Sequence, residues 1–268
     1  MKNWLKIALW SFFGLCVVVL VVISQKAQSE KVLEDPVIKV HVNGENEFIT
    51  SDEVYDTLFY EGLIWNNQTR GELDVEKVEA YLRKISQVKD VKVFSLLGGN
   101  WEIDVETRKP IARIYNKFGG SFYLDSEGVT MEVSRRHAAR VLVITGDISD
   151  RIESVSVDDI INNDSLKSIR KLDDIYRISS YVCNDPLFRS LIGQIHLKKN
   201  GDFVLVPLIG DQKIIFGSAY SDNEVMEKFK KLRIFYKEAM PYAGWDTYKE
   251  ISLKYEDQIV CKKKETNG

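Results

Sequence analysis

The residue types that could do chemistry in this chain are present but scattered. Adjacent carboxylates at Asp158-Asp159 and Asp173-Asp174 could supply a general acid and a base, histidines stand at His41, His137 and His196, and thiols at Cys183 and Cys261. Acid–base work needs two groups converging on one reacting atom. Side chains adjacent in sequence point in different directions, so each acidic pair reads as a solvated face. The histidines are isolated, with His41 and His196 in expected strands, whereas a metal site needs clustered ligands of defined geometry. There is no G-x-S-x-G elbow, no G-x-x-x-x-G-K-[ST] or G-x-G-x-x-G loop and no H-E-x-x-H pair. No catalytic constellation emerges, and no cofactor or metal is expected.

The bulk numbers agree with a folded, globular chain. Of 268 residues, 44% are apolar and 29% charged, the balance of a globular chain. A formal net charge of -3 leaves no positive surplus for phosphate neutralisation, which argues against a nucleic-acid binder. Cys183 and Cys261 are too few for a disulfide scaffold and form no C-x-x-C pair. One bridge between them remains open; two buried thiols are the favoured reading.

The N-terminus departs from the rest. Trp4 to Ile23 reads WLKIALWSFFGLCVVVLVVI, a run matched to the hydrocarbon core of a bilayer, with Lys6 able to snorkel and Trp4 and Trp10 suited to an interface. The run is too long for a signal-peptide core, and Ser24 to Gln28 holds no A-x-A site. Cys16 follows Leu15 rather than the small residues of a lipoprotein signal. An uncleaved anchor follows, with residues 1–6 as a short cytoplasmic tail, 7–23 as the transmembrane helix and 24–35 as a polar linker. Lys2, Lys6 and the terminal amine favour a cytoplasmic N-terminus, leaving the remainder extracytoplasmic.

The elements beyond the anchor fall into two groups. Val37 to Val42 alternates into Asn43-Gly44, a strand and turn; Thr50 to Glu53 is spaced as a capping box; and Val54, Tyr55 and Leu58 share a helical face. Asp74 can cap a second helix in which Val75, Val78, Leu82 and Ile85 recur. Two alternating strands, Val88 to Leu97 and Trp101 to Thr107, flank Gly98-Gly99-Asn100. This β-α-α-β-β order fills residues 36–107. Past Pro110 short strands follow at Ile111 to Tyr115, Phe122 to Leu124, Val129 to Val133 and Val141 to Ile144. A helix is expected from Ser165 to Val182, then strands around the Asn200-Gly201 turn and at Ile214 to Phe216. Ser221 to Glu224 is spaced as a second capping box, opening a helix with Val225, Phe229, Leu232 and Tyr236 inward and Lys228, Lys230, Lys231, Arg233 and Lys237 outward, stopping before Pro241. The fold class is α+β, the second group being a mostly antiparallel β domain with flanking helices over residues 108–268.

The last elements pose a question. Tyr248 to Tyr255 and Gln258 to Lys262 read as a pair of strands, and the second runs into Lys262-Lys263-Lys264 with no later element to cover it. An uncovered edge is a template for pairing, and lysines on it discourage self-association.

Several short motifs, in order, carry a resemblance. The chain resembles the FtsQ/DivIB cell-division proteins: Glu106-Thr107-Arg108-Lys109-Pro110-Ile111-Ala112 is similar to their "E-R-x-P-x-A" junction after a POTRA domain, Asp125-Ser126-Glu127-Gly128 to their "D-x-x-G" hairpin, and Val143 to Gly146 to their "P-x-I/L-x-G" element, with Val141-Leu142 where proline is common. Gln194-Ile195, Leu205 to Gly210, Ile214 to Gly217 and Lys228-Phe229 with Leu232 are similar to the C-terminal pattern. The resemblance implies a single-pass inner-membrane protein of the division septum, without enzymatic activity, whose 36–107 segment is a POTRA domain. It implies that this domain and the membrane segment contact other divisome membrane proteins, and that the end of the β domain binds coiled-coil partners of the FtsB/DivIC and FtsL type. Carried onto this sequence, the binding residues are Tyr255, Asp257, Gln258, Ile259, Val260, Cys261, Lys262 and Lys263, with Arg189 as a supporting ion-pair partner. Glu256-Asp257-Gln258 stands where the family has small residues after the tyrosine. A partner adding as a strand would satisfy the open N–H and C=O groups, and the lysines would steer an acidic segment. The rivals are a membrane-anchored extracytoplasmic enzyme of cell-wall processing, which needs a cleft of convergent polar groups, and a POTRA-bearing export or assembly component, which should show several such repeats.

Overall fold

The computed structural model describes residues 2–43, 48–96, 99–134, 137–152, 157–163 and 170–264. Gly44 and Gly98 of the expected turns, and residues 165–169 at the start of the expected Ser165 helix, lie outside them. The chain divides into two compact units, 1–43 with 49–107, and 44–48 with 108–268. Together they form an α+β protein with an apolar N-terminal helix.

In the first unit, helix α1 spans Lys2–Ser29, and its Lys6–Ser29 portion is long and apolar enough to cross a membrane. It therefore continues through the first half of the expected linker. Residues 24–29 are polar but contain no glycine or proline, and Gln25, Lys26 and Ala27 are good helix formers. The rest of that segment is docked: Leu33 N–H donates to the Gln68 carbonyl at 2.8 Å, Arg70 N–H to Lys31 at 2.9 Å and Glu34 N–H to Gly99 at 3.1 Å. The indole N–H of buried Trp101 donates to the Glu34 carbonyl at 2.8 Å.

Strands β1 (Val37–His41), β2 (Val88–Ser95) and β3 (Trp101–Thr107) form a sheet of order β1-β3-β2, with β1 parallel and β2 antiparallel to β3. Two helices, α2 (Ser51–Tyr60) and α3 (Val75–Leu82), supply Val54, Leu58, Val78 and Leu82 to one core with Val91, Ile103 and Val105. Alternate β3 residues are buried, as period two demands. The capping box closes in both directions: Glu53 N–H donates to Thr50 Oγ1 at 3.2 Å and Thr50 N–H to the Glu53 carboxylate at 3.1 Å.

The second unit is built on nine strands: β4 (Pro110–Tyr115), β5 (Ser121–Asp125), β6 (Thr130–Met131), β7 (Leu142–Gly146), β8 (Ile192–Leu197), β9 (Phe203–Pro207), β10 (Lys213–Gly217), β11 (Tyr248–Ser252) and β12 (Val260–Lys263). Their order is β12-β11-β10-β9-β8-β7-β4-β5-β6, mostly antiparallel, with parallel pairs at β4-β7, β7-β8 and β10-β11. Helices occupy two of the crossovers that parallel neighbours require. Between β7 and β8 lie α4 (Val157–Ile161), α5 (Leu172–Asn184) and α6 (Pro186–Leu191); between β10 and β11 lies α7 (Asp222–Ile234), followed by a π-turn at Phe235–Ala239 and α8 (Met240–Ala243). Phe188, Phe216 and Phe229, with Tyr181 stacked on Phe229, fill the space between helices and sheet.

Four expectations are corrected here. The last long helix does not stop before Pro241: the wide π-turn resets the bonding register, so that proline's missing donor falls at the first turn of α8, and Gly244 at φ 83° ends the run. Ser221 accepts from Glu224 N–H, but the Glu224 carboxylate passes the cap and binds Tyr220 N–H and Ser218 Oγ, so only half of the second capping box forms. Lys228 is buried, not outward. Its ammonium is satisfied by the Ser218 carbonyl at 2.7 Å and by Glu224 at 2.5 Å. Asp173 and Asp174 are likewise buried rather than solvated, because Arg177 reaches both at 3.0 Å and Lys171 holds Asp174 at 3.0 Å.

Candidate functional site

The site follows from how the chain closes its sheet. Ile251 and Leu253 are fully buried and fix β11 against the core, while half-buried Ile259 and Cys261 pack on the same core cluster. With Cys261 inward, alternation turns Val260 and Lys262 outward, and Val260 is 43% exposed. Strand β12 pairs antiparallel with β11 through Ser252↔Val260, Ile251↔Cys261, Glu250↔Lys262 and Tyr248↔Lys263. No strand among the described residues pairs with its other side, so the last position in the sheet order carries an open row of backbone donors and acceptors.

The strand begins at Val260, two residues later than the sequence suggests. Glu256, Asp257 and Gln258 stay outside it in an exposed turn, and Lys231 of α7 explains why. Its ammonium donates to the carbonyls of Tyr255 at 2.6 Å and Glu256 at 2.8 Å, spending acceptors that would otherwise seek strand partners. Lys254 is tied beside the turn to Asp202 at 2.8 Å, an ion pair and hydrogen bond that raise its pKa. Tyr255 itself is 51% exposed.

The three lysines separate into two kinds. Lys264 pairs with Asp211 at 3.4 Å and Asp246 at 3.6 Å, and its N–H donates to Thr247 at 3.0 Å. Lys262 and Lys263 are exposed and have no ion pair among the described residues. They are the unspent positive charge of the edge. Burial pushes the Cys261 thiol pKa up, so it is a poor nucleophile. Cys183 and Cys261 are both free and half-buried.

The structure thus brings Tyr255, Asp257, Gln258, Ile259, Val260, Cys261, Lys262 and Lys263 onto one edge strand and the turn entering it. It does not bring Arg189 to that strand. Arg189 is exposed in α6, which leads into β8, four strands from β12 in the sheet order, a spacing of ~19 Å. Sequence reasoning missed the Lys231 and Lys264 contacts, since a lysine aimed at a carbonyl or at two remote acids leaves no local spacing to read.

Two of the histidines meet partners within their own units. His41 lies 2.8 Å from Asp104, and His196 Nδ1 lies 3.1 Å from Thr145 Oγ1. No group of three His, Cys, Asp or Glu side chains that could hold a metal ion occurs among the described residues. Burial raises the Asp174 pKa, with Lys171 opposing the shift, and its oxygens are engaged by Lys171 and Arg177. That cluster joins α5 to the segment before α7, because Arg177 also donates to the Ala219 carbonyl.

Comparison with curated proteins finds no match. A family described as FtsQ/DivIB, C-terminal related, matches residues 109–262, which run from the start of the second unit into β12. Covering more than half of the 268 residues, this match makes the chain a member of the FtsQ/DivIB C-terminal related family, whose proteins are non-catalytic and serve cell division.

Proposed function

We propose that this protein is a scaffold of the bacterial division machinery that captures an extended segment of a partner by strand addition to β12. The observation that carries this reading is the combination of an edge left open among the described residues with two exposed lysines, Lys262 and Lys263, that have no ion pair among them. Backbone pairing supplies affinity and alternating side chains supply selectivity. The partners are coiled-coil proteins of the FtsB/DivIC and FtsL type, presenting an acidic strand. The β-α-α-β-β order of the first unit supports its reading as a POTRA domain that, with α1, contacts other divisome membrane proteins. On this reading α1 anchors the chain in the inner membrane at the septum, N-terminus inside and both units outside.

The deciding measurement is a pull-down with purified full-length chain and the coiled-coil partner. Reversing Lys262→Glu and Lys263→Glu together abolishes capture while the thermal unfolding profile is retained. Unchanged affinity removes the edge from the mechanism.

A further inference from the structure

The first unit contains an open groove of about 630 Å³, walled on one side by the docked segment after α1 and on the other by the loop after α2. That volume lies inside the range of small-ligand sites, ~300–1,000 Å³. Its polar side chains are largely unspent. The Trp65 ring is 45% exposed, and neither its indole N–H nor the amides of Asn66 and Asn67 have a hydrogen-bond partner among the described residues. The Glu34 carboxylate is also without a partner among them, and Asp35 accepts only the Tyr55 hydroxyl, at 3.3 Å. Asn67 holds the left-handed conformation, φ 61°, the one non-glycine residue to do so among the described residues.

These groups select a ligand class. No Lys, Arg or His lines the groove, so a phosphate or carboxylate ligand would meet two carboxylates and no counter-charge. Amides both donate and accept, and carboxylates only accept. An uncharged ligand dense in hydroxyl donors and acceptors satisfies that set. An exposed indole face beside it suits the C–H face of a pyranose ring. An acetamido substituent matches the paired asparagine amides in both senses. We infer that this groove is a saccharide site for an N-acetylhexosamine glycan, with Trp65 as the stacking platform.

The test uses the full chain in phospholipid nanodiscs, which avoids glycosidic detergents. Intrinsic tryptophan fluorescence is followed while N-acetylglucosamine tetramer, glucose tetramer or a lysine tetrapeptide is added. The expected result is saturable quenching by the N-acetylated tetramer, weaker binding of the glucose tetramer, and at least about tenfold weaker binding in Trp65→Ala. The double variant Asn66→Ala, Asn67→Gly keeps the left-handed backbone at position 67, changes only an exposed loop and weakens binding with an unchanged unfolding midpoint. Absence of saturation, an unaltered response in these variants, or binding of the lysine peptide in place of the saccharide overturns the assignment. The site is separate from β12, and the result stands whether or not partner capture is found there.

Discussion

Arg108 and Asp125 meet: the Arg108 Nη1 lies 2.9 Å from Asp125 Oδ2, and Asp125 is almost wholly buried. Its other oxygen accepts the N–H groups of Glu127 at 2.9 Å and Val129 at 2.7 Å, so one carboxylate closes the β5–β6 turn and fastens the chain entering β4. Asp125→Ala is expected to cost ~3–5 kcal/mol, because two amides lose their acceptor and Arg108 is left with the longer contact to Glu127 at 3.8 Å. Urea unfolding of the purified chain checks this; a cost comparable to a surface substitution would show that the pair is incidental.

The buried cluster on α5 gives a pH-dependent prediction. Desolvation raises the Asp174 pKa, opposed by Lys171 and Arg177. A carboxyl whose folded-state pKa lies above its unfolded value contributes stability that is present below the unfolded pKa and lost as pH rises through the folded one. Arg177→Met removes an opposing charge and drives the folded value higher. The variant should lose ~3–5 kcal/mol at neutral pH and recover part of it on mild acidification. Urea midpoints across pH report this, and a deficit that grows on acidification contradicts it.

Lys231 supplies a third. With its ammonium removed by Lys231→Met, the Tyr255 and Glu256 carbonyls are released and the entry to β12 loosens. Amide hydrogen exchange should accelerate at residues 258–263, with little change in global stability, the usual result of losing a partly exposed hydrogen bond worth ~1 kcal/mol. Unchanged exchange there would mean that Ile259 and Cys261 packing alone holds the strand.

What the sequence displayed was whatever is encoded at short range. The Thr50–Glu53 box, the β3 alternation and the Asn200-Gly201 turn depend on neighbours two to four residues apart, and all take form in the structure. Lys228 and Asp173-Asp174 were misread because a charge's burial depends on its partner: Ser218 and Glu224 for one, Arg177 for the others. Gly146 lies between the two cases. Its place in a motif was visible, but its need was not: at φ 116° an added Cβ would stand 2.0 Å from the Leu197 carbonyl oxygen of the neighbouring strand. The edge itself was legible, whereas its true start at Val260 depended on Lys231, which lies on another element and binds the Glu256 carbonyl 25 residues along the chain.

The docked segment after α1 changes what α1 can do as the proposed anchor. Had residues 24–35 been a slack tether, twelve residues would have let the first unit range over ~40 Å. Helix through Ser29 and hydrogen bonds from Lys31 to Glu34 leave almost no slack. As the proposed anchor, α1 would work as a mount and not as a leash: a turn or tilt imposed on it by a neighbouring membrane helix would be transmitted to the groove beside Trp65 instead of being absorbed on the way.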